Sequence, residues 1–203
     1  VLISSEMLQV EPTKAGYKEN ELVLLDDLVK AAMIESDNDA AMAISVAVGG
    51  SVSNFVAMMN EKAQSLGMEN THFTNPCGFD INDHYSTPSD LLKLAEYAIQ
   101  NHTFNDISRQ NKHTYTMMNT NRPLVAKTHN HLLGRYAHAV GIKTGYTSKA
   151  GPCFIARAKK DGVDCLIVML NSKENRWKVA EQIFEQVFVP SIPKNSTLLS
   201  LNP

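Results

Sequence analysis

Two kinds of hydrophobic periodicity divide this chain, and together they restrict its fold more than any other feature. Between residues 24 and 99, apolar residues recur every three to four positions in successive runs, which is the spacing of amphipathic helices. From residue 114 onward the pattern has period two, and Asp161-Gly162 is a strong hairpin signal. A last helical pattern covers 173–188. The sequence therefore predicts a mixed α+β fold: an antiparallel sheet flanked by helices from both ends of the chain, plus an all-helical insert.

Local signals predict several boundaries within this pattern. Residues 1–5 are typical of a strand, and Ser53 is a suitable N-cap for a helix. Thr87-Pro88 begins another helix, with proline at the first helical position. The predicted strands are 114–118, 124–128, 140–144, 153–159 and 163–170.

Composition is that of an ordinary globular domain. The chain has 203 residues, 43% of them apolar and 20% charged, and its formal net charge is −2. This balance does not favour nucleic acid as a partner, and no apolar run approaches the ~20 residues of a membrane span. We divide the chain into one domain, 1–189, and a tail, 190–203.

Cysteines and histidines do not indicate a metal site. Cys77, Cys153 and Cys165 have no metal-ligand spacing, and the histidines are scattered. The cysteines are either small, partly buried residues or include one disulfide pair. We expect neither a metal nor another cofactor.

Two short motifs carry the chemistry. Ser36-Asp37-Asn38 lies between two helical patterns, and Lys143-Thr144-Gly145 lies at the end of a predicted strand. Lys143 supplies a fixed positive charge, Thr144 supplies a hydroxyl donor, and Gly145 has no Cβ to block a ligand lying along the strand. These three residues together suit a C-terminal carboxylate. In this order the two motifs are the second and third signatures of penicillin-recognising serine acyltransferases.

In these motifs and the sequence around them, the chain resembles D-alanyl-D-alanine carboxypeptidases, which are low-molecular-mass penicillin-binding proteins. The resemblance implies a fold like that of β-lactamases and penicillin-binding transpeptidases. It also implies a serine peptidase that removes the terminal D-alanine of peptidoglycan stem peptides through an acyl-enzyme and binds β-lactam antibiotics. The segments that carry the resemblance are 28–40, 59–63, 66–73, 75–78, 84–87 and 141–147.

The resemblance also implies roles for individual residues. Ser36 would relay a proton to the leaving amine, and Asn38 would hydrogen-bond the substrate amide. Lys143, with Thr144 and Gly145, would form the carboxylate pocket. The backbone N–H of Tyr146 would be an oxyanion donor, and Thr147 would help to bind the terminal carboxylate.

The first signature of such enzymes, Ser-x-x-Lys, does not occur before Ser36. The only such tetrad in the chain, Ser191 to Lys194, lies in a proline-broken tail, where no helix could aim both side chains together. We expect an upstream segment, absent from these 203 residues, to carry the nucleophile and its lysine. Residues 1–203 alone are then expected to form no acyl-enzyme. The alternative is a non-catalytic peptidoglycan-binding or scaffold relative that lacks the nucleophile.

The resemblance further implies a bacterial, extracytoplasmic location, in the periplasm or at the outer face of the cytoplasmic membrane. Membrane anchoring, oligomeric state, and the choice among carboxypeptidase, endopeptidase and transpeptidase products stay open. A class A β-lactamase would need a Glu-x-Leu-Asn run between Asn38 and Lys143, and none occurs.

Overall fold

The computed structural model describes residues 1–189 and shows seven α-helices, one short 3₁₀ helix and five strands in that part of the chain. In chain order these are α1 (Ser5–Leu8), α2 (Leu25–Ile34), α3 (Asn38–Gly49), α4 (Val52–Ser65), α5 (Pro88–Ala98), α6 (His102–Ser108), β1 (Lys112–Thr116), β2 (Pro123–Lys127), the 3₁₀ helix (His131–Gly134), β3 (Ala139–Thr147), β4 (Gly151–Lys160), β5 (Val163–Met169) and α7 (Arg176–Phe188).

The strands form two antiparallel sheets. One is the hairpin β1–β2, and the other has the order β3–β4–β5. Asp161 and Gly162 both have positive φ, 50° and 82°, as the tight turn between β4 and β5 requires. The larger sheet therefore consists of two consecutive hairpins, and β3, which carries the Lys-Thr-Gly motif, is an edge strand.

Two apolar clusters hold these elements together. The first packs α2 and α3 against the N-terminal segment and the β1–β2 hairpin, with Leu28 and Met117 fully buried. The second packs α7 onto β4 through Phe184 and Phe154. The cleft described below has walls from α2, α3 and the loop between them, from β3, and from the loop before α5.

A glycine allows β3 to lie against α6. Gly141 has φ of 132°, and a Cβ there would lie 2.9 Å from Ser108 Oγ and 3.1 Å from Ser108 O. The β3–β4 register shifts between Ala139 and Gly141, as in a β-bulge. Because a bulge changes which face the following side chains point to, this irregularity sets the direction of Lys143, two residues further on.

The fold class is confirmed, as are the helix beginning at Thr87-Pro88 and the Asp161-Gly162 turn. The strand predicted for 1–5 is wrong: only Leu2 forms a bridge, with Leu22, and Ser4 already precedes a helical turn. The N-cap of α4 is Ser51, not Ser53, since the Ser51 hydroxyl accepts from Asn54 N.

Other predicted elements also differ from the observed ones. The helix α6 was not predicted, and β1 begins two residues before the predicted strand. Lys143 does not end its strand, because β3 continues to Thr147. The predicted tail, 190–203, lies outside the described residues, and so does the tetrad Ser191 to Lys194.

Within 1–189, no single helix is long and apolar enough to cross a membrane; α3 and α4, bent by 84° at their junction, meet the length and composition criteria only as a pair.

Candidate active site

A cleft of about 700 Å³ brings the two motifs together. Its walls come from the loop between α2 and α3, from β3, and from the loop before α5. All seven residues singled out in the sequence line it: Ser36, Asn38, Lys143, Thr144, Gly145, Tyr146 and Thr147.

The Lys143 ammonium donates a hydrogen bond to Ser36 Oγ and so joins β3 to the loop between α2 and α3. The same nitrogen lies 3.3 Å from the Thr144 carbonyl oxygen. Burial lowers the pKa of Lys143 to about 8, and the nearby Asp37 opposes this shift. Because an ammonium only donates, Ser36 Oγ accepts, and its own proton is left for another acceptor in the cleft.

Ser36 has a backbone conformation that serine rarely adopts. Its φ is 66°, in the left-handed region, immediately after Glu35, the C-cap of α2. Glycine is the usual residue at this position of a helix end, because a Cβ is disfavoured there. The fold alone would favour glycine, so the serine hydroxyl is the feature that accounts for this residue.

Asp37 is a buried carboxyl without a hydrogen-bond partner among residues 1–189. It is 1% exposed, and although it is the N-cap residue of α3, its side chain makes no capping bond. Burial, then the proximity of Glu35 and Asp39, raises its pKa to about 7, whereas Lys143 lowers it. Near neutral pH the carboxyl is therefore often protonated, and the adjacent cleft keeps its positive charge.

Asn38 is the first residue of α3, and its side chain already makes one hydrogen bond within the protein. Its Nδ2 donates to Glu11 O at 3.0 Å, and its backbone N–H donates to Thr13 O at 2.8 Å. The first of these bonds orients the side-chain amide. The Oδ1 receives no hydrogen bond from the described part of the chain and can accept one from a ligand N–H.

Gly145 is not required by the fold. Its φ lies outside the left-handed region, and a Cβ there would meet only Cys153, at an ordinary contact distance of 3.7 Å. Space for a ligand along β3 is the remaining reason for a glycine. Tyr146, next along the strand, is 70% exposed.

Thr147 lines the cleft, but its hydroxyl is already engaged. Its Oγ1 donates to Asp80 Oδ1 at 2.7 Å and accepts from Ala150 N at 3.0 Å. A hydroxyl has one proton, so in this conformation Thr147 cannot donate to a carboxylate. The carboxylate-binding role expected for Thr147 from the sequence stays a prediction, and it would require this hydroxyl to leave Asp80.

Arg176 is a candidate that the sequence analysis missed. It is the first residue of α7, it lines the cleft, and its Nη1 donates to Gly145 O and Cys153 O, both at 2.9 Å. Its guanidinium carbon lies 4.6 Å from the centre of the Trp177 ring. The remaining N–H groups of a guanidinium held in this way are suited to a carboxylate.

Cys77 lines the cleft without a reactive environment. Burial raises the pKa of its thiol to about 11, and its Sγ donates to Asn38 O at 3.6 Å. All three cysteines are free thiols. Within residues 1–189, no group of three or more His, Cys, Asp or Glu side chains is arranged to hold a metal ion.

Comparison with known proteins agrees with this geometry. The sequence profile of a peptidase family described as D-alanyl-D-alanine carboxypeptidase matches residues 2–174. The chain belongs to this family.

Individual relatives support the assignment. D-alanyl-D-alanine carboxypeptidase DacF of Bacillus subtilis is 31% identical over 169 residues, covering 79% of this chain and 41% of the relative. A D-alanyl-D-alanine endopeptidase of Escherichia coli is 30% identical over 154 residues, covering 75% of this chain and 49% of the relative. The chain thus spans less than half the length of these two family members.

Among solved structures, a D-alanyl-D-alanine carboxypeptidase from Mycobacterium tuberculosis superposes with a TM-score of 0.87 at 28% identity. The match covers 95% of this chain and 75% of that one. The fold is therefore that of the penicillin-binding peptidases, as the sequence predicted.

The backbone at Ser36 gives a first testable prediction. Ser36→Gly and Ser36→Ala both remove the hydroxyl contact with Lys143, but only glycine adopts positive φ without a Cβ penalty. We expect the glycine variant to be more stable than the alanine variant by about 1 kcal/mol. Chemical denaturation of the two variants measures this difference, and an alanine variant of equal or greater stability would contradict it.

Asp37 gives a second prediction, for stability against pH. An unfolded aspartate ionises near pH 4, so between about pH 4 and pH 7 the folded protein keeps a proton that the unfolded chain has released. Stability therefore falls as the pH rises through this window. Relative to the native protein, Asp37→Asn should gain on the order of 2 kcal/mol between pH 5 and pH 8. Unfolding curves at the two pH values test this, and a difference that does not change with pH argues against it.

Proposed function

We propose that this chain is part of a serine-type D-Ala-D-Ala carboxypeptidase, which removes the terminal D-alanine of peptidoglycan stem peptides through an acyl-enzyme. The observation that carries the proposal is the contact between Lys143 and Ser36 in a cleft that also holds Asn38 and Arg176. The contact places a proton-relaying hydroxyl beside a cation, and acyl transfer to a serine from a peptide that ends in a carboxylate needs both.

The carboxylate end of the substrate would bind at Lys143, Thr144 and Arg176. All three residues line the same cleft, and Arg176 is held by its two backbone carbonyl partners. A carboxylate held by such donors positions the preceding peptide bond along β3, beside Ser36. Asn38 Oδ1 would accept a hydrogen bond from an amide N–H of the substrate.

The nucleophile of the whole protein would be the serine of a Ser-x-x-Lys segment, as family resemblance implies. Its Oγ attacks the carbonyl carbon of the penultimate D-alanine while its proton passes to the lysine of the tetrad. The Tyr146 N–H would then donate to the oxyanion. Through Ser36, the proton reaches the nitrogen of the terminal D-alanine, the C–N bond breaks, and free D-alanine leaves. Water hydrolyses the ester and restores the serine.

The proposed partners follow from this chemistry. A β-lactam carries a carboxylate beside a strained amide, so it would occupy the same donors and acylate the same serine. Peptidoglycan lies outside the cytoplasmic membrane, so the proposed location is extracytoplasmic in a bacterium. The named relatives come from bacteria.

The proposal is tested by intact mass spectrometry of the full-length protein with and without benzylpenicillin. One penicillin adduct per molecule is expected on full-length protein, and none on residues 1–203 alone. A full-length protein that contains the tetrad but takes up no adduct would refute the serine acyltransferase and favour a peptidoglycan-binding scaffold.

Lys143 gives a further prediction, for activity against pH. Its pKa lies near 8, so kcat/KM for a peptide ending in D-Ala-D-Ala should decline above about pH 8 as the ammonium loses its proton. Lys143→Arg keeps the charge and should move this decline to higher pH. Lys143→Ala should lose on the order of a hundredfold or more in kcat/KM. Full activity of the alanine variant would disprove the site assignment.

A further inference from the structure

His84 meets hydrogen-bond donors at the base of the loop that forms one wall of the cleft. Its Nδ1 lies 3.0 Å from Thr74 N, 3.3 Å from Thr74 Oγ1 and 3.4 Å from Asn75 Nδ2. A backbone N–H and a side-chain amide nitrogen can only donate, so Nδ1 accepts. An imidazole nitrogen that accepts a hydrogen bond carries no proton. The ring of His84 is therefore neutral, with its proton on Nε2.

Asn75, one of these donors, shapes the cleft wall. Its buried side chain uses Oδ1 to accept from the backbone N–H groups of residues 77–79, at 3.1, 2.7 and 3.0 Å. Residues 76–79 line the cleft, and Cys77 Sγ donates to Asn38 O at 3.6 Å. An imidazole that orients the Asn75 amide therefore acts on the wall that contacts Asn38.

The backbone around this contact is anchored on both sides. His72 and Tyr85 form an antiparallel bridge, with backbone N–O distances of 2.9 and 3.0 Å. Asn60, on α4, accepts from Phe73 N and donates to Phe73 O, both at 2.8 Å. Because the backbone is held in this way, a repulsion at the imidazole would act on the side-chain amide that orders the wall.

We propose that His84 is a positioning residue of the carboxypeptidase reaction: its neutral imidazole holds the cleft wall in place, and protonation of the ring releases that wall. The inference rests on the proposed function. His84 does not line the cleft, so it would act through Asn75 and not on the substrate. A proton on Nδ1 would place one N–H against the N–H of Thr74, and both contacts would be lost. The substrate would then meet a wall that is no longer fixed, which lowers kcat/KM.

The charged groups near His84 set the direction of its titration. Among residues 1–189, these are His72, in the bridge beside it, and Asp80, in its own loop. Burial lowers the pKa of His84 below the ordinary histidine value, His72 adds to this shift, and Asp80 opposes it. Because the ordered wall favours the neutral ring, protonation favours the released wall by the same free energy. Activity should therefore fall as the pH drops below about 6.5.

His72, in the same loop, has the opposite arrangement. Its Nδ1 lies 2.7 Å from Asp83 O. A carbonyl oxygen only accepts, so this Nδ1 carries a proton whether the ring is neutral or charged. Protonation of His72 therefore leaves its hydrogen bond intact. The chain thus offers two neighbouring histidines of which only one should affect the wall when it is protonated.

The test measures kcat/KM of the full-length protein for a pentapeptide ending in D-Ala-D-Ala, at pH 5 and pH 8. Each variant is described by its quotient, the value at pH 5 divided by the value at pH 8, which separates His84 from ionisations that all variants share. His84→Asn keeps an acceptor in place of Nδ1 but does not titrate, so its quotient should exceed the native quotient about threefold or more. His84→Ala lacks the acceptor and should lose kcat/KM at both pH values.

His72→Asn is the matched control. Its quotient should not exceed the native quotient, because loss of the His72 charge can only ease the protonation of His84. NMR of the ring nitrogens in the full-length protein gives a second readout, which does not depend on activity. At pH 7 we expect Nε2 of His84 to carry the proton and Nδ1 to carry none.

Four results would overturn the inference: equal quotients in His84→Asn and the native protein, an equal rise in His72→Asn, full activity of His84→Ala at pH 8, or a proton on His84 Nδ1 at pH 7. A native protein that does not cleave the pentapeptide would refute the proposed function, and the inference with it.

Discussion

The contact between Lys143 and Ser36 is the interaction on which the site depends. It links residues 107 positions apart and holds the helical half of the chain against the sheet. Ser36 sits on a helix end with left-handed backbone, and Lys143 follows a bulge in β3. Through α6, which packs against both α2 and β3, the two halves share one support.

The cleft keeps a positive charge near neutral pH because Asp37, a buried acid in its wall, can be protonated. Lys143 and Arg176 bring two positive charges, and Asp37 lies close enough to Lys143 to oppose the lowering of its pKa. An ionised Asp37 would offset much of the field that a carboxylate ligand meets. Burial raises the pKa of Asp37 to about 7, so near neutral pH much of this acid is protonated and does not offset the charge of Lys143.

The fold class and the two motifs could be predicted because both depend on residues close in sequence. Helical and alternating periods report which face is buried, and the tripeptides keep their chemistry together. The helix α6 escaped prediction because its seven residues offer too few turns for a period. Ser51 and Ser53 are equally good caps by composition, and only the Asn54 contact distinguishes them.

Residues defined by distant partners could not be predicted in this way. Arg176 reaches carbonyl oxygens 31 and 23 positions before it, and Asp80 meets a hydroxyl 67 positions after it. No local pattern marks either residue. Thr147 depends on distance in the same way: it lies beyond the predicted strand 140–144, and its hydroxyl meets a carboxylate in a loop with no regular pattern.

In a relative, the Lys-Thr-Gly tripeptide indicates this site only if the position of Gly141 is also a glycine. A side chain at this position would collide with Ser108, so β3 would have to move away from α6 and would carry Lys143 with it. A homologue with a larger residue here would keep the Lys-Thr-Gly motif, but its lysine would no longer lie in contact with its serine. For such proteins, the glycine two positions before the lysine belongs to the signature as much as the one two positions after it.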